Sequence, residues 1–160
     1  MQRRSLLAAT AAGLSLPAPR PAAADERIVL SVTGAVARAA EFTLAGLEAL
    51  GQVELRTRTA WTGPALRHFA GVPLARLLDQ VGARGTVLHA VALNDYAISA
   101  PIPELLRHEA FLAMREDGAP MRIRDRGPVW LIFPWSQRPE LDVPTVRERA
   151  IWQLRRIEIR

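Results

Sequence analysis

The sequence has 160 residues, 49% of them hydrophobic, and contains no cysteine. This length suits one compact domain with its own core, and the composition excludes a disordered chain. Without cysteine, the chain has no disulfide, no thiol nucleophile and no thiolate metal ligand. All 21 basic residues are arginine and they are interleaved with acids, so we expect none of the like-charged patches that bind nucleic acid.

The first 24 residues have the pattern of a signal peptide. Arg3 and Arg4 precede an apolar run over 6–16, and small residues over 22–24 form a cleavage site before Asp25. The arginine pair also resembles a twin-arginine export signal, with an ordinary secretory signal as the alternative. We therefore predict a signal peptide over 1–24 and one exported, periplasmic domain over 25–160, with 18 arginines against 16 acids.

The first third of the predicted domain reads as strand, helix and strand. A β-rich run over 28–33 predicts a strand that Gly34 ends. Thr43 is a suitable N-cap for a short helix over 44–50. The alternation of apolar and polar residues over 53–58 predicts the second strand, which leads into the loop RTRTAWTG.

The central region predicts a helix and then a hairpin. The segment Gly-Val-Pro-Leu at 71–74 predicts a helix start with proline in its first turn, and Gly82 ends the helix. Strands over 87–93 and 96–100 flank a turn at Asn94 and Asp95. The apolar stripe of the helix comprises Leu74, Leu77, Leu78 and Val81.

The last third alternates short elements. It contains a helical turn over 104–106, a strand over 111–114, a turn over 116–120 and an arginine-rich loop over 122–127, and then the most apolar strand, 129–133. Thr145 and Glu148 have capping-box spacing for a short helix, and a strand over 157–159 closes the chain. The predicted fold class is therefore α+β: a single, compact, strand-rich domain with short helices.

The sequence does not point to a catalytic residue or a metal ligand. His68, His89 and His108 are far apart, and none has an acid or a second histidine at metal-ligand spacing. Neither a glycine-rich phosphate loop nor a nucleophile elbow is present. We assign no catalytic residue and no metal site.

The candidate site consists instead of polar and aromatic residues at strand ends. If their loops converge, they form a cleft for a flat, polar heteroaromatic ligand, with aromatic faces for stacking and amide, carboxylate and guanidinium groups for its edges. Each residue also has a plain structural interpretation, as a turn or as core. The candidates are Arg58, Thr59, Trp61, Asn94, Asp95, Tyr96, Arg126 and Trp135.

Four segments, in order, resemble the sulfite oxidase-like, molybdopterin-binding domain family. They are AGVPLARLLDQVGA, VALNDYAISAPIPEL, REDGAPMRIRDRGPVWLIFP and IWQLRRIEIR. The resemblance implies a compact α+β domain with a mixed, partly barrel-like sheet and a pterin-binding cleft along its loops. Family enzymes hold molybdenum through the pterin dithiolene and a cysteine thiolate placed after the strand that corresponds to 53–58. In this chain Thr57, Arg58, Thr59, Ala60 and Trp61 fill that place.

The resemblance leaves three hypotheses open. The first is an exported module that binds a pterin or molybdopterin-like ligand without molybdenum; small relatives of this kind imply a membrane-bound signalling partner. The second is a molybdopterin-dependent oxidoreductase with a non-cysteine metal ligand. The third is a ligand-free scaffold for a membrane partner.

Overall fold

The computed structural model describes residues 27–160, so the predicted signal peptide and its cleavage site lie outside the described residues. None of the helices in this range is long and apolar enough to cross a membrane. The strands are β1 (Ile28–Gly34), β2 (Ala40–Thr43), β3 (Val53–Thr57), β4 (Arg67–Pro73), β5 (Val87–Ala92), β6 (Ala97–Pro101), β7 (Phe111–Glu116), β8 (Ala119–Pro120), β9 (Trp130–Ile132) and β10 (Leu154–Ile159). The helices are α1 (Leu44–Glu48), α2 (Leu74–Val81), α3 (Ile102–Arg107) and α4 (Pro144–Arg147).

The strands form two sheets, of which the first is mixed and the second is antiparallel. The first has the order β2-β1-β10-β5-β6, with β1 and β10 parallel and the other pairs antiparallel. The second contains β3, β4, β7, β8 and β9, all antiparallel. An isolated backbone bridge links Leu131 of β9 to Ile151, which lies between α4 and β10. The predicted α+β class is confirmed.

The core lies between the sheets and the helices. The predicted stripe of α2 is fully confirmed, because all four of its residues are buried, and Gly82 ends the helix in the left-handed conformation that favours glycine. Thr43 caps α1 as predicted, since its side-chain oxygen accepts a hydrogen bond from the backbone N of Gly46 at 3.0 Å. Trp130, Phe69 and Phe133 are the largest side chains that are almost completely buried.

Three local predictions were wrong or incomplete. Gly71 to Pro73 belong to β4 and not to the helix, which begins at Leu74. Gly71 is needed there because a Cβ would collide with the carbonyl of Leu112 on β7. Strand β2 was not predicted, and Thr145 does not cap α4, whose N-cap is Val143 without any side-chain hydrogen bond.

Candidate functional site

Trp61 lies at the centre of a cluster of all four tryptophans. Its ring centroid is 5.9 Å from those of Trp130 and Trp135 and 5.7 Å from that of Trp152, in edge-on or tilted geometry. Such aromatic pairs each contribute about 1 kcal/mol beyond the area that they bury. The loop after β3 is thus anchored by the one tryptophan that it carries, and that side chain remains partly exposed.

Arg126 contacts two tryptophans of this cluster. Its guanidinium donates a hydrogen bond to the carbonyl oxygen of Trp61 at 2.6 Å and lies 5.3 Å from the ring centroid of Trp130. Arg126 itself has a φ of 74°, and its carbonyl accepts from the backbone N of Gln153. Arg126 therefore positions Trp61 and lines neither of the cavities described next.

Threonine hydroxyls fix the conformation of the loop. The Oγ1 of Thr57, which is fully buried, accepts a hydrogen bond from the backbone N of Ser136 at 3.0 Å and donates to the carbonyl of Arg58. The Oγ1 of Thr59 accepts from the backbone N of Trp61 and of Thr62. The Ser136 hydroxyl in turn accepts from the backbone N of Arg58 at 2.8 Å. The loop is therefore tied to the segment that follows β9.

Two cavities lie beside the loop after β3. The Arg58 cavity, of 540 Å³, lies between the loop after β3 and the segment after β9, and polar groups line much of it. Its lining comprises Arg58, Thr59, Ala60, Gly63, Leu66, Trp135, Ser136, Pro139, Asp142 and Arg147. The Tyr96 cavity, of 320 Å³, is lined by Trp61, Ala92, Asn94, Tyr96, Arg147, Glu148, Ala150, Ile151 and Trp152.

Arg147 is common to both cavities. Its Nε donates to Asp142 at 2.7 Å, and this hydrogen bond raises the pKa of Arg147 further above its ordinary range. The guanidinium is therefore charged at any physiological pH, and it has five N–H donors, of which Asp142 engages only some. The Tyr96 hydroxyl donates to the carbonyl of Glu148, another lining residue of the Tyr96 cavity, at 3.4 Å.

The structure brings six of the eight candidate residues to the two cavities. Arg58, Thr59 and Trp135 line the first, and Trp61, Asn94 and Tyr96 line the second. Trp135 is only 5% exposed, and its Nε1 donates to the carbonyl of Leu141. Its ring is therefore mainly part of the hydrophobic core.

The other two candidates lie elsewhere. Asp95 forms an ion pair with Arg155 at 2.5 Å and lines neither cavity. Arg126 also lines neither cavity, and its guanidinium donates to the Trp61 carbonyl. The role of all eight residues in binding stays a prediction.

Sequence reasoning missed Arg147 and Trp152. Arg147 follows the misassigned cap at Thr145, and only the packing of α4 beside the loop after β3 brings it to the site. In the sequence, Trp152 is part of the motif IWQLRRIEIR, and nothing in that motif indicates a cavity lining. No group of three or more His, Asp or Glu side chains within 27–160 is placed to hold a metal ion.

Comparisons with known proteins identify the family. A model of the oxidoreductase molybdopterin binding domain matches residues 16–137, which is more than half of the chain. The chain belongs to this family. The matched range includes the loop after β3, the β5–β6 hairpin and the segment after β9, and it stops before the tryptophan of the terminal motif. A search of curated proteins found no match.

A solved structure supports the fold of this molybdopterin-binding domain. The sulfane dehydrogenase SoxCD from Paracoccus pantotrophus aligns with a TM-score of 0.61 at 20% identity. The alignment covers 88% of this chain but only 39% of that chain, so the domain corresponds to less than half of the larger protein. The likeness is one of fold.

Proposed function

We propose that the domain binds a pterin or molybdopterin-like ligand non-covalently and does so without redox catalysis. One observation carries the proposal: an aromatic cavity lined by Trp61 and a cationic cavity lined by Arg58 share Arg147. A flat heteroaromatic ring with a polar or phosphorylated tail needs such a pair of environments. The family supplies the ligand class, and the two cavities supply matching chemistry.

The Tyr96 cavity suits the ring of the ligand. Trp61, Tyr96 and Trp152 offer aromatic surface, and Tyr96 is 51% exposed, so it is free to pack on a ligand face. The side chain of Asn94 has both donors and acceptors for the rim of a pyrimidinone, although its Oδ1 already accepts from the backbone N of Tyr96 at 3.2 Å. A volume of 320 Å³ is at the small end of ligand sites.

The Arg58 cavity suits the tail. Arg58 is exposed, and its only hydrogen bond to another part of the described chain comes from the backbone, so its guanidinium is available to a ligand. Arg147 also lines this cavity. Two guanidinium groups bind phosphate or carboxylate oxygens through paired, charge-assisted hydrogen bonds.

The residues present fit the pterin better than they fit molybdenum. Related enzymes use a thiolate, and the 160 residues contain no cysteine. Thr57 is the last residue of β3, the strand that precedes the expected position of the ligand to molybdenum. Its hydroxyl already donates one hydrogen bond and accepts another within the protein. A neutral threonine hydroxyl is also a poor substitute for a soft thiolate ligand. This disagreement supports binding without the oxidoreductase chemistry.

The direct test is a titration of the purified protein with a parent pterin and with its phosphate ester. A ligand that binds only the folded state stabilises it by about 2.7 kcal/mol at 100 times its Kd. For a domain of this size, that corresponds to a rise in Tm of roughly 10 °C. We expect both compounds to raise the Tm and to change tryptophan fluorescence, the ester more strongly. Unchanged Tm and fluorescence with both would favour the ligand-free scaffold.

A second candidate is an oxidoreductase with an oxygen ligand to molybdenum. It is favoured by the family and by the Asp142 carboxylate, which lines the Arg58 cavity but is engaged by Arg147. The hypotheses differ in metal content. Elemental analysis of the purified protein distinguishes them, because only the oxidoreductase requires one molybdenum per chain.

We also propose that the domain acts in the periplasm, after removal of residues 1–24, beside a membrane-bound signalling partner. The arginine pair and the small-residue cleavage pattern support export. Cell fractionation and N-terminal sequencing test it. The proposal predicts a periplasmic protein that begins at Asp25, and an uncleaved cytoplasmic protein would contradict it.

A further inference from the structure

A third cavity, of 1220 Å³, shares no lining residue with the two cavities of the candidate site. We call it the arginine-rimmed groove. It lies between the start of β1, the β5–β6 turn, the turn over 121–124 and the start of β10. Its floor includes Ile28, Leu93, Met121, Ile123 and Leu154, and its rim comprises Arg27, Arg115, Arg122, Arg124 and Arg155.

The apolar floor of the groove is unusually accessible. Ile28 is 45% exposed, Leu93 is 40% exposed and Ile123 is 50% exposed. Single exposed apolar side chains are normal on protein surfaces, whereas several in one concavity mark an interaction site. The groove therefore offers three apolar side chains that residues 27–160 leave exposed.

Hydrogen bonds hold the turn that presents Ile123. The side chain of Gln153 donates to the Ile123 carbonyl at 2.7 Å, and the backbone N of Gly127 donates to the Arg122 carbonyl at 2.8 Å. Arg122 also pairs with Asp125 at 2.6 Å. The apolar side chain is thus displayed by an ordered turn, which lowers the entropic cost of binding a partner.

The charge of the groove selects the partner. Of the residues that the structure describes, five arginines line it and no acidic residue does. Arg115 and Arg155 have ion-pair partners outside the lining, Glu48 and Asp95, and Arg122 and Arg124 share Asp125. Among residues 27–160, three acids against five arginines leave a net positive rim. The exposed pairs of Arg122, Arg124 and Arg155 contribute only about 0–1 kcal/mol, so a partner's carboxylates can compete for these guanidinium groups.

We propose that the arginine-rimmed groove binds an acidic, amphipathic segment of a partner protein. Apolar side chains of the segment pack on Ile28, Leu93 and Ile123, and its carboxylates face the rim arginines. An amphipathic helix laid in a groove is a common form of such recognition. A flat membrane surface does not reach the floor of a concavity, and nucleic acid, whose interfaces are polar, does not use an apolar floor.

The test uses the full-length protein and a synthetic peptide of about four helical turns, with leucine on one face and glutamate on the other. A scrambled peptide of the same composition is the control. We expect the amphipathic peptide to bind at least about tenfold more tightly than the scrambled one, and more weakly as salt is raised. Ile123→Asp should weaken binding by about tenfold or more.

Leu106→Asp is the matched control, because Leu106 is 40% exposed and lies outside the groove. It should leave peptide binding unchanged. Arg124→Glu provides a second variant that removes charge complementarity without changing the apolar floor. Equal binding of both peptides, or full binding by Ile123→Asp and Arg124→Glu, would overturn the proposal.

Two other outcomes would assign the groove to a different occupant and would also overturn the proposal. One is binding to phosphatidylglycerol vesicles that Ile123→Asp abolishes while the peptide fails to bind. The other is self-association of the protein in sedimentation experiments that Ile123→Asp abolishes.

Discussion

The two cavities of the candidate site differ in chemistry although Arg147 lines both. The Arg58 cavity contains guanidinium, hydroxyl and carboxylate groups, whereas the Tyr96 cavity is mostly aromatic and aliphatic. Arg147 is the one residue that lines both. The difference shows how a small domain can offer one ligand two environments, one for a ring and one for a charged tail.

The difference has its origin in the segments that build each cavity. The Arg58 cavity is formed by two irregular segments, one after β3 and one after β9, which are held together by Thr57 and Ser136. The Tyr96 cavity is formed by the β5–β6 hairpin and the chain between α4 and β10. Trp61 belongs to the first segment but lines the second cavity, so it couples the two.

The largest effect is expected for Trp61→Ala. Truncating a tryptophan that packs on three others should lower the free energy of unfolding by about 3 kcal/mol. It should also weaken pterin binding by at least about tenfold, because it removes aromatic surface from the lining of the Tyr96 cavity. Trp61→Phe keeps an aromatic face and is the control. Chemical denaturation and ligand titration measure the two effects, and unchanged affinity in Trp61→Ala would break the proposed link between the cavities.

Thr57→Val should lower the stability of the protein, because it removes the hydrogen bond that ties the loop after β3 to Ser136. The change preserves volume but leaves the backbone N of Ser136 without its acceptor, at a cost of about 1 kcal/mol. Thr57→Ser retains the hydroxyl and should be close to the wild type in urea denaturation. If Thr57→Val were as stable as Thr57→Ser, the hydroxyl would not be what ties the loop to Ser136.

Arg58→Met should distinguish the tail from the ring. We expect a loss of about three- to tenfold in affinity for the pterin phosphate ester and little change for the parent pterin, because only the ester presents a phosphate. The backbone hydrogen bond from Arg58 to Ser136 is independent of the side chain and should persist.

Arg38→Met, an exposed change outside both cavities, is the control for Arg58→Met. Equal losses of affinity for the ester and the parent pterin would place the tail elsewhere.

The smallest effect concerns pH and lies outside both cavities. Burial lowers the pKa of His108 below its ordinary value of about 6.5, so the unfolded chain binds more protons than the folded one near that pH. The hydrogen bond from Arg149 lowers the pKa of Glu104 as well. Stability should therefore fall as the pH drops below about 6.5, and fall further below the ordinary pKa of Glu104, near 4.5.

His108→Gln removes the first of these two pH dependences. We expect a shallower loss of Tm between pH 7 and pH 5.5 in this variant, with pterin affinity at neutral pH unchanged. The same slope as the wild type would show that His108 is not the group responsible. A change in pterin affinity would show that a substitution at the end of α3 affects the two cavities.

Local patterns were enough to predict much of the fold. The α2 stripe, the Thr43 cap and the β5–β6 hairpin each depend on residues close in sequence, and all three are present. Strand β4 was missed because Gly71 and Pro73 resemble a helix start. Their strand conformation comes from pairing with β7, which is more than 35 residues away in sequence.

The site was only partly predictable for the same reason. Strand-end residues such as Asn94 and Tyr96 could be named because their turns are visible in the sequence. Arg147 could not, because only tertiary packing places it at the junction of the cavities. Asp95 and Arg126 were named for their chemistry, but their side chains engage Arg155 and the Trp61 carbonyl.

The most direct test of the central claim is a combined ligand and metal analysis of one preparation of the exported protein. Released small molecules are identified by fluorescence and mass spectrometry, and molybdenum is measured per chain. We predict a pterin-class compound with molybdenum far below one atom per chain. Stoichiometric molybdenum would contradict the account, as would a preparation with no pterin that also fails to take up any pterin added to it.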